Sequence, residues 1–147
     1  MANKILLLNG PNLNMLGKRD PQLYGDITLN NVEETCKNLA KNNGIELESK
    51  QSNHEGQLVE LIHAARESSD AIIINPGAYS HTSVAIFDAL EIFQRPIIEV
   101  HISNIHKRES FRHFSYVSQI ADGVIAGCGV QGYELAILRL AQIFKYT

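Results

Sequence analysis

Long apolar runs are missing from this chain. None approaches the roughly 18–20 residues that cross a bilayer, so the sequence does not read as a membrane protein. The opening MANKILLLNG carries an apolar run too short for a secretory signal, and Asn9-Gly10-Pro11 ends it. Cysteine is scarce: only Cys36 and Cys128 are present, so no disulfide framework is specified, although a single bridge between them is geometrically open. Together these absences predict a cytoplasmic protein with reduced thiols. Excess positive charge is lacking too, since the formal charge is −3, which argues against a dedicated nucleic-acid binder. There is no internal repeat, low-complexity segment or linker. No Walker A lysine pattern and no histidine pair with zinc spacing is present. What remains is a chain of 147 residues, 44% apolar and 20% charged, long enough for one domain (1–147) with a full core.

Short apolar runs alternate with helical periodicities. Lys4–Leu8 reads as a strand buried on both faces. Thr28 is a candidate N-cap for a helix whose inner face is Leu29, Val32, Cys36, Leu39 and Ala40, ended by Asn43-Gly44. Ile45–Gln51 alternates only partly, as expected near a sheet edge. Asn53 is placed to cap a helix with Leu58, Leu61, Ile62 and Ala65 inward. Further strands are expected over Ala71–Ile74, Ile97–Ile102 and Gly123–Ala126. Helices are expected from near His81 to Gln94, stopped by Pro96, and over Tyr133–Phe144. This alternation predicts an α/β fold: a five-stranded parallel sheet in the flavodoxin-like order 2-1-3-4-5, with helices on both faces. Ligands in such sheets bind beyond the carboxyl ends of the strands.

The unusual residues fall at those ends. After the first strand come Asn9, Asn12 and Asn14, then Gly17–Gly25 (GKRDPQLYG). That loop holds Arg19 and Tyr24, and a guanidinium beside a phenol stabilises the phenolate, making a general base from a group that otherwise titrates near ~10. After the third strand come Asn75, Tyr79, Ser80 and His81. Glu99, His101 and Ser103 alternate along the fourth strand and so share a face, with His106, Arg108, Arg112 and His113 behind them. A carboxylate two residues before an imidazole can fix its tautomer and favour its charged form, which suits a general acid; a satisfied core histidine is the plainer reading of the same pattern. His63 reads as structural or solvated. Gly127-Cys128-Gly129-Val130-Gln131-Gly132 fits G-x-G-x-x-G, but too little chain follows it for the second strand and acidic residue of a dinucleotide site. These glycines read instead as close-approach positions in the last βα turn.

Five segments carry a resemblance. NGPNLNMLGKRDPQLYG at 9–25, QSNHEG at 51–56, INPGAYSHTSVAIFDAL at 74–90, EVHISN at 99–104 and RESFR at 108–112 together resemble the type II 3-dehydroquinate dehydratases, with no departure at a position that family uses. The resemblance implies a hydro-lyase of the shikimate pathway, using no metal, cofactor or Schiff base. Its substrate would be 3-dehydroquinate, dehydrated to 3-dehydroshikimate by anti elimination through an enolate. It implies Tyr24 as base, Arg19 as activator of Tyr24, Asn12 as holder of a water against the enolate oxygen, and His101, oriented by Glu99, as acid. Asn75, His81, Ile102, Ser103 and Arg112 would hold the substrate, with Arg108 adding positive potential. Asp88 would reach a neighbouring subunit's site in a homo-oligomer, a dodecamer of four trimers.

Other readings fit less well. The lysine-dependent dehydroquinases use a β/α barrel of about 250 residues, and no lysine is expected at the carboxyl end of a strand here. A flavin- or nucleotide-binding module of the same fold calls for a small-residue phosphate loop after strand one, where NGPNLNMLG stands. A receiver module calls for paired aspartates there, which are absent.

Overall fold

The computed structural model describes residues 1–18, 22 and 25–147. Five strands, β1 (Asn3–Asn9), β2 (Ile45–Gln51), β3 (Ala71–Asn75), β4 (Ile97–His101) and β5 (Gly123–Ala126), pair in parallel in the order β2-β1-β3-β4-β5. Four helices of ten or more residues connect and close them: α1 (Leu29–Asn42), α2 (Glu55–Ser68), α3 (Val84–Phe93) and α4 (Gln131–Lys145). This is the predicted fold.

The two-residue period of the inner strands sorts the core into two halves. Ile5, Leu7, Ile73, Ile98 and Val100 meet Val32, Cys36 and Ala40 of α1 and Ala136, Ile137 and Leu140 of α4. Leu6, Leu8, Ile72, Ile74 and Ile97 meet Leu58, Ile62 and Ala65 of α2 and Ile86, Leu90 and Phe93 of α3. β1 and β3 are therefore apolar on both faces through the middle of the sheet, as parallel strands under two helical layers must be, whereas β4 carries Glu99 and His101 on one of its faces. β2 lies at the edge, and its alternation of exposed Glu46, Glu48 and Lys50 with half-buried neighbours follows from having one free side.

Local signals account for most boundaries. Thr28 Oγ1 accepts from Asn31 N–H, and Asn31 Oδ1 accepts from Thr28 N–H, a reciprocal cap at the start of α1. Ser83 Oγ accepts from Ile86 N–H and caps α3, which ends at Gln94 in a left-handed conformation ahead of Pro96. Three expectations need correction. Asn53 does not cap α2: His54 occupies that position, and Ser52 Oγ satisfies the His54 N–H instead. β4 stops at His101, so Ser103 belongs to the turn beyond the strand. The segment before α3 is a separate 3-10 turn, Gly77–His81. Cys36 and Cys128 are not bridged: Cys36 is buried and Cys128 exposed.

Candidate active site

The loops beyond β1, β3 and β4 converge on a pocket at the carboxyl end of the sheet. Asn12, Asn75, His81, His101, Ile102, Ser103, Arg108 and Arg112 line it, with Pro11, Leu13, Leu16, Gly77, Ala78 and Ile105. Its volume of about 160 Å³ suits a small single-ring molecule rather than a dinucleotide. The first and third loops press tightly together. Gly10 N–H donates to Asn75 O at 2.8 Å, and a Cβ on Gly10 would stand 2.5 Å from Pro76 O, so only glycine fits. Next to it Asn12 holds φ +71°, a left-handed conformation that costs free energy in any residue but glycine and is tolerated best by Asn and Asp. Asn53 Oδ1 accepts from the Asn12 N–H at 2.9 Å and fixes that backbone. This is where the side chain expected to cap α2 is used.

The floor of the pocket is a buried ionisable pair. Glu99 and His101 point to the same side of β4, and Glu99 Oε2 lies 2.5 Å from His101 Nε2. Glu99 is fully buried and His101 nearly so. A lone carboxylate there would be strongly penalised. Ser115 Oγ donates to Oε2 at 2.7 Å and Ser118 Oγ to Oε1 at 2.5 Å, so the carboxylate accepts three hydrogen bonds. Burial alone would push the Glu99 carboxyl up; the hydrogen bond and charge of His101, with the two serine hydroxyls, outweigh it and hold the group below its ordinary value. Glu99 is thus an anion, and its partner nitrogen on His101 carries a proton.

One wall is cationic. Arg108 Nη1 reaches Ser103 Oγ at 3.5 Å, and Arg112 Nε donates to Glu109 Oε1 at 3.2 Å with its guanidinium over the Phe111 ring. Opposite, His81 Nδ1 donates to Phe114 O at 2.7 Å; a carbonyl only accepts, so that nitrogen carries a proton. Two arginines and a histidine around a small cavity make an anion site, well suited to a carboxylate.

Eight of the twelve residues singled out from the sequence line this one pocket, and Glu99 supports it from below. Arg19 and Tyr24 lie outside the described residues. Asp88 sits on the exposed face of α3, away from the pocket of its own chain. His63 is exposed on α2. Lys50 corrects the expectation that no lysine ends a strand: it is one residue from the end of β2, but it is exposed and pairs with Glu48 at 3.5 Å. Sequence reasoning missed Ser115, Ser118 and the role of Asn53, because a serine or asparagine in an irregular segment carries no pattern that names its partner. Among the described residues no group of three or more His, Cys, Asp or Glu is gathered where it could hold a metal.

The family profile for dehydroquinase class II matches residues 3–141. The chain belongs to that family. A 3-dehydroquinate dehydratase of Cereibacter sphaeroides is 56% identical over 143 residues, covering 97% of each chain. A catabolic 3-dehydroquinase of Emericella nidulans is 57% identical over 145 residues, 99% of this chain and 95% of the other. The crystal structure of the type II dehydroquinase from Propionibacterium acnes superposes with a TM-score of 0.93 at 45% identity, over 97% of this chain and 98% of that one. For a dehydroquinase, a buried carboxylate–imidazole pair beneath a cationic cavity is chemically apt: one group can donate a proton while others bind an acid.

Proposed function

We propose that this chain is a hydro-lyase that converts 3-dehydroquinate to 3-dehydroshikimate, the third step of the shikimate pathway, with residues 1–147 as a single catalytic domain. The observation that carries the reading is the Glu99–His101 pair opening onto the cavity that Arg108 and Arg112 line. The names of its relatives supply the substrate.

Tyr24, activated by Arg19, takes the proton next to the ketone, and the C–H electrons pass into an enolate. That proton is weakly acidic, so the step depends on donors already aimed at the enolate oxygen; Asn12 holds a water there. The enolate collapses and expels the ring hydroxyl, a poor leaving group unless protonated. His101 supplies that proton from its pocket-side nitrogen, the Glu99 anion stabilising the imidazolium through Nε2. Water departs, and no metal, cofactor or lysine imine is required. Arg112, His81, Asn75, Ser103 and the Ile102 backbone hold the carboxylate and hydroxyls, with Arg108 adding positive potential.

The same reading places the enzyme in the cytoplasm as a homo-oligomer, a dodecamer of four trimers, with Asp88 entering a neighbour's site. Supporting this, α3 exposes Val84 and Ile92 on the helical face that carries Asp88, a stripe a lone outer helix does not need. No helix among the described residues is long and apolar enough to cross a membrane.

The deciding experiment follows the ultraviolet absorbance of the conjugated enone with 3-dehydroquinate as the only substrate. Absorbance should rise with enzyme concentration and survive a chelator and borohydride. A folded protein that forms no enone would overturn the proposal, and covalent trapping on a lysine would replace the enolate route with an imine.

A further inference from the structure

The sheet's carboxyl end also holds a chain of buried polar groups, of which the mechanism above uses only Asn75. Asn75 Nδ2 donates to the Tyr133 hydroxyl at 2.9 Å, and that hydroxyl donates to Asn9 Oδ1 at 2.6 Å. All three residues are buried, and Asn75 alone also lines the pocket. Tyr133 reaches this point because of Gly132. A Cβ there would lie 3.2 Å from Val100 Cγ1 and 3.4 Å from Ile125 Cγ2, so the glycine lets the first turn of α4 settle onto β4 and β5. The last glycine of the 127–132 run is thereby explained as a packing position.

The direction of the chain is fixed by a group that cannot reverse. The Gly77 backbone N–H is an obligate donor, and it donates to Asn75 Oδ1 at 3.1 Å. Asn75 must therefore turn its nitrogen toward Tyr133. The phenol oxygen must accept, and its own proton must go on to Asn9. Tyr133 keeps that proton, because burial pushes its ionisation well above the ordinary range. The arrangement leaves Asn9 Nδ2 buried without a partner, the only such side-chain atom among the described residues. A fold that tolerates an orphaned donor while keeping the rest of the chain in one polarity is placing weight on that polarity.

We propose that Tyr133 is a positioning residue for substrate: by accepting from Asn75 it locks the Asn75 amide so that its second N–H, a donor, faces the ligand. The pocket then reads an acceptor at that point, a hydroxyl or carboxylate oxygen. This rests on the activity proposed above and deepens it.

Tyr133→Phe tests it, assayed by enone formation from 3-dehydroquinate. Loss of one fixed hydrogen bond should raise KM about tenfold and leave kcat within about threefold. Ile137→Val, equally buried on α4, should lower the melting temperature without moving KM. In an Asn75→Ala background, Tyr133→Phe should change kcat/KM less than about twofold, because the group it positions is gone. If Tyr133→Phe does not fold, Asn9→Leu serves, since it removes the acceptor that holds the phenol in place beside Asn75; KM should again rise. An active wild type whose KM is unmoved by either variant, or effects that multiply in the double mutant, would overturn the inference. A wild type inactive on 3-dehydroquinate would instead sink the activity assignment.

Discussion

The sheet has a hollow at each end, and the larger is at the end without the chemistry. The amino-end hollow, among Asn3, Asn43, Ile45, Leu138, Gln142 and Lys145, measures about 530 Å³ against about 160 Å³ for the carboxyl-end pocket. Its polar residues, Asn3, Asn43, Gln142 and Lys145, are all exposed. At the other end Asn75 is 4% exposed, His101 5% and Glu99 0%. Burying a polar group costs free energy unless its partners are supplied. Where a fold buries several and supplies partners for nearly all, the cost has been met for a purpose. Space alone marks nothing, and buried, partnered polarity is the better sign of a site.

The largest expected effects fall on the groups that move protons. His101→Ala should lower kcat by about 10²–10⁴-fold, as should Tyr24→Phe, with substrate binding little changed. Either variant retaining activity within a few-fold of wild type would break the assignment of that residue. A smaller effect should separate the two arginines. Arg112→Ala should raise KM by roughly tenfold or more, the loss of a charge-assisted hydrogen bond to bound substrate. Arg19→Ala should act on kcat instead. The same kinetic signature in both would erase that division of labour.

Glu99 gives a sharper test, through stability. Its carboxyl titrates lower in the folded protein than the ordinary value of 4.5. Such a group contributes stability fully present above the unfolded value, which is lost as pH falls through the folded one. Urea unfolding of the wild type should therefore lose stability as pH drops below about 4.5, and Glu99→Gln should flatten that part of the curve. An unchanged acid slope in the variant would show that the Ser115–Ser118 clamp does not hold an anion. The alkaline side should be governed differently. Burial pushes the Cys36 thiol up to about 12 from 9.0, with the nearby Glu134 and Glu33 adding to the shift. Its stabilisation is present below 9.0 and drains away toward about 12, so Cys36→Ala should lessen the alkaline loss.

What could be read from the sequence follows the length scale of the forces. Strand and helix identity rests on local periodicity, and the buried runs at Ile5–Leu8 and Ala71–Ile74 announce themselves. The carboxyl-end rule then gathers Asn12, Asn75, His81, His101 and Arg112 without any three-dimensional knowledge. Asn53 misleads because a cap and a tertiary acceptor look alike in sequence: the same Oδ1 could bond the helix start or the Asn12 N–H, and only the packing of two loops decides. Ser115, Ser118 and Tyr133 stayed hidden for a related reason. Their partners are 16, 19 and 58 residues away, and no periodicity links a hydroxyl to a carboxylate or an amide over such a separation.

The smallest expected effect is at the amino end, and it tests the comparison itself. Gln142 is exposed on α4 beside the larger hollow, with no side-chain hydrogen bond among the described residues. Substitution at such a position changes stability by about 0.5 kcal/mol or less. Gln142→Ala and Asn43→Ala should each leave kcat/KM within about twofold of wild type. Asn43 needs one allowance, because its Nδ2 donates to Leu39 O at 2.9 Å at the end of α1, so its removal should also lower the melting temperature slightly. Steady-state assay beside thermal unfolding separates the two effects. If either variant lowered kcat/KM tenfold while the fold stayed intact, the amino-end hollow would be coupled to the chemistry. Polarity in the open would then count for as much as polarity buried, and the distinction between the two ends would fail.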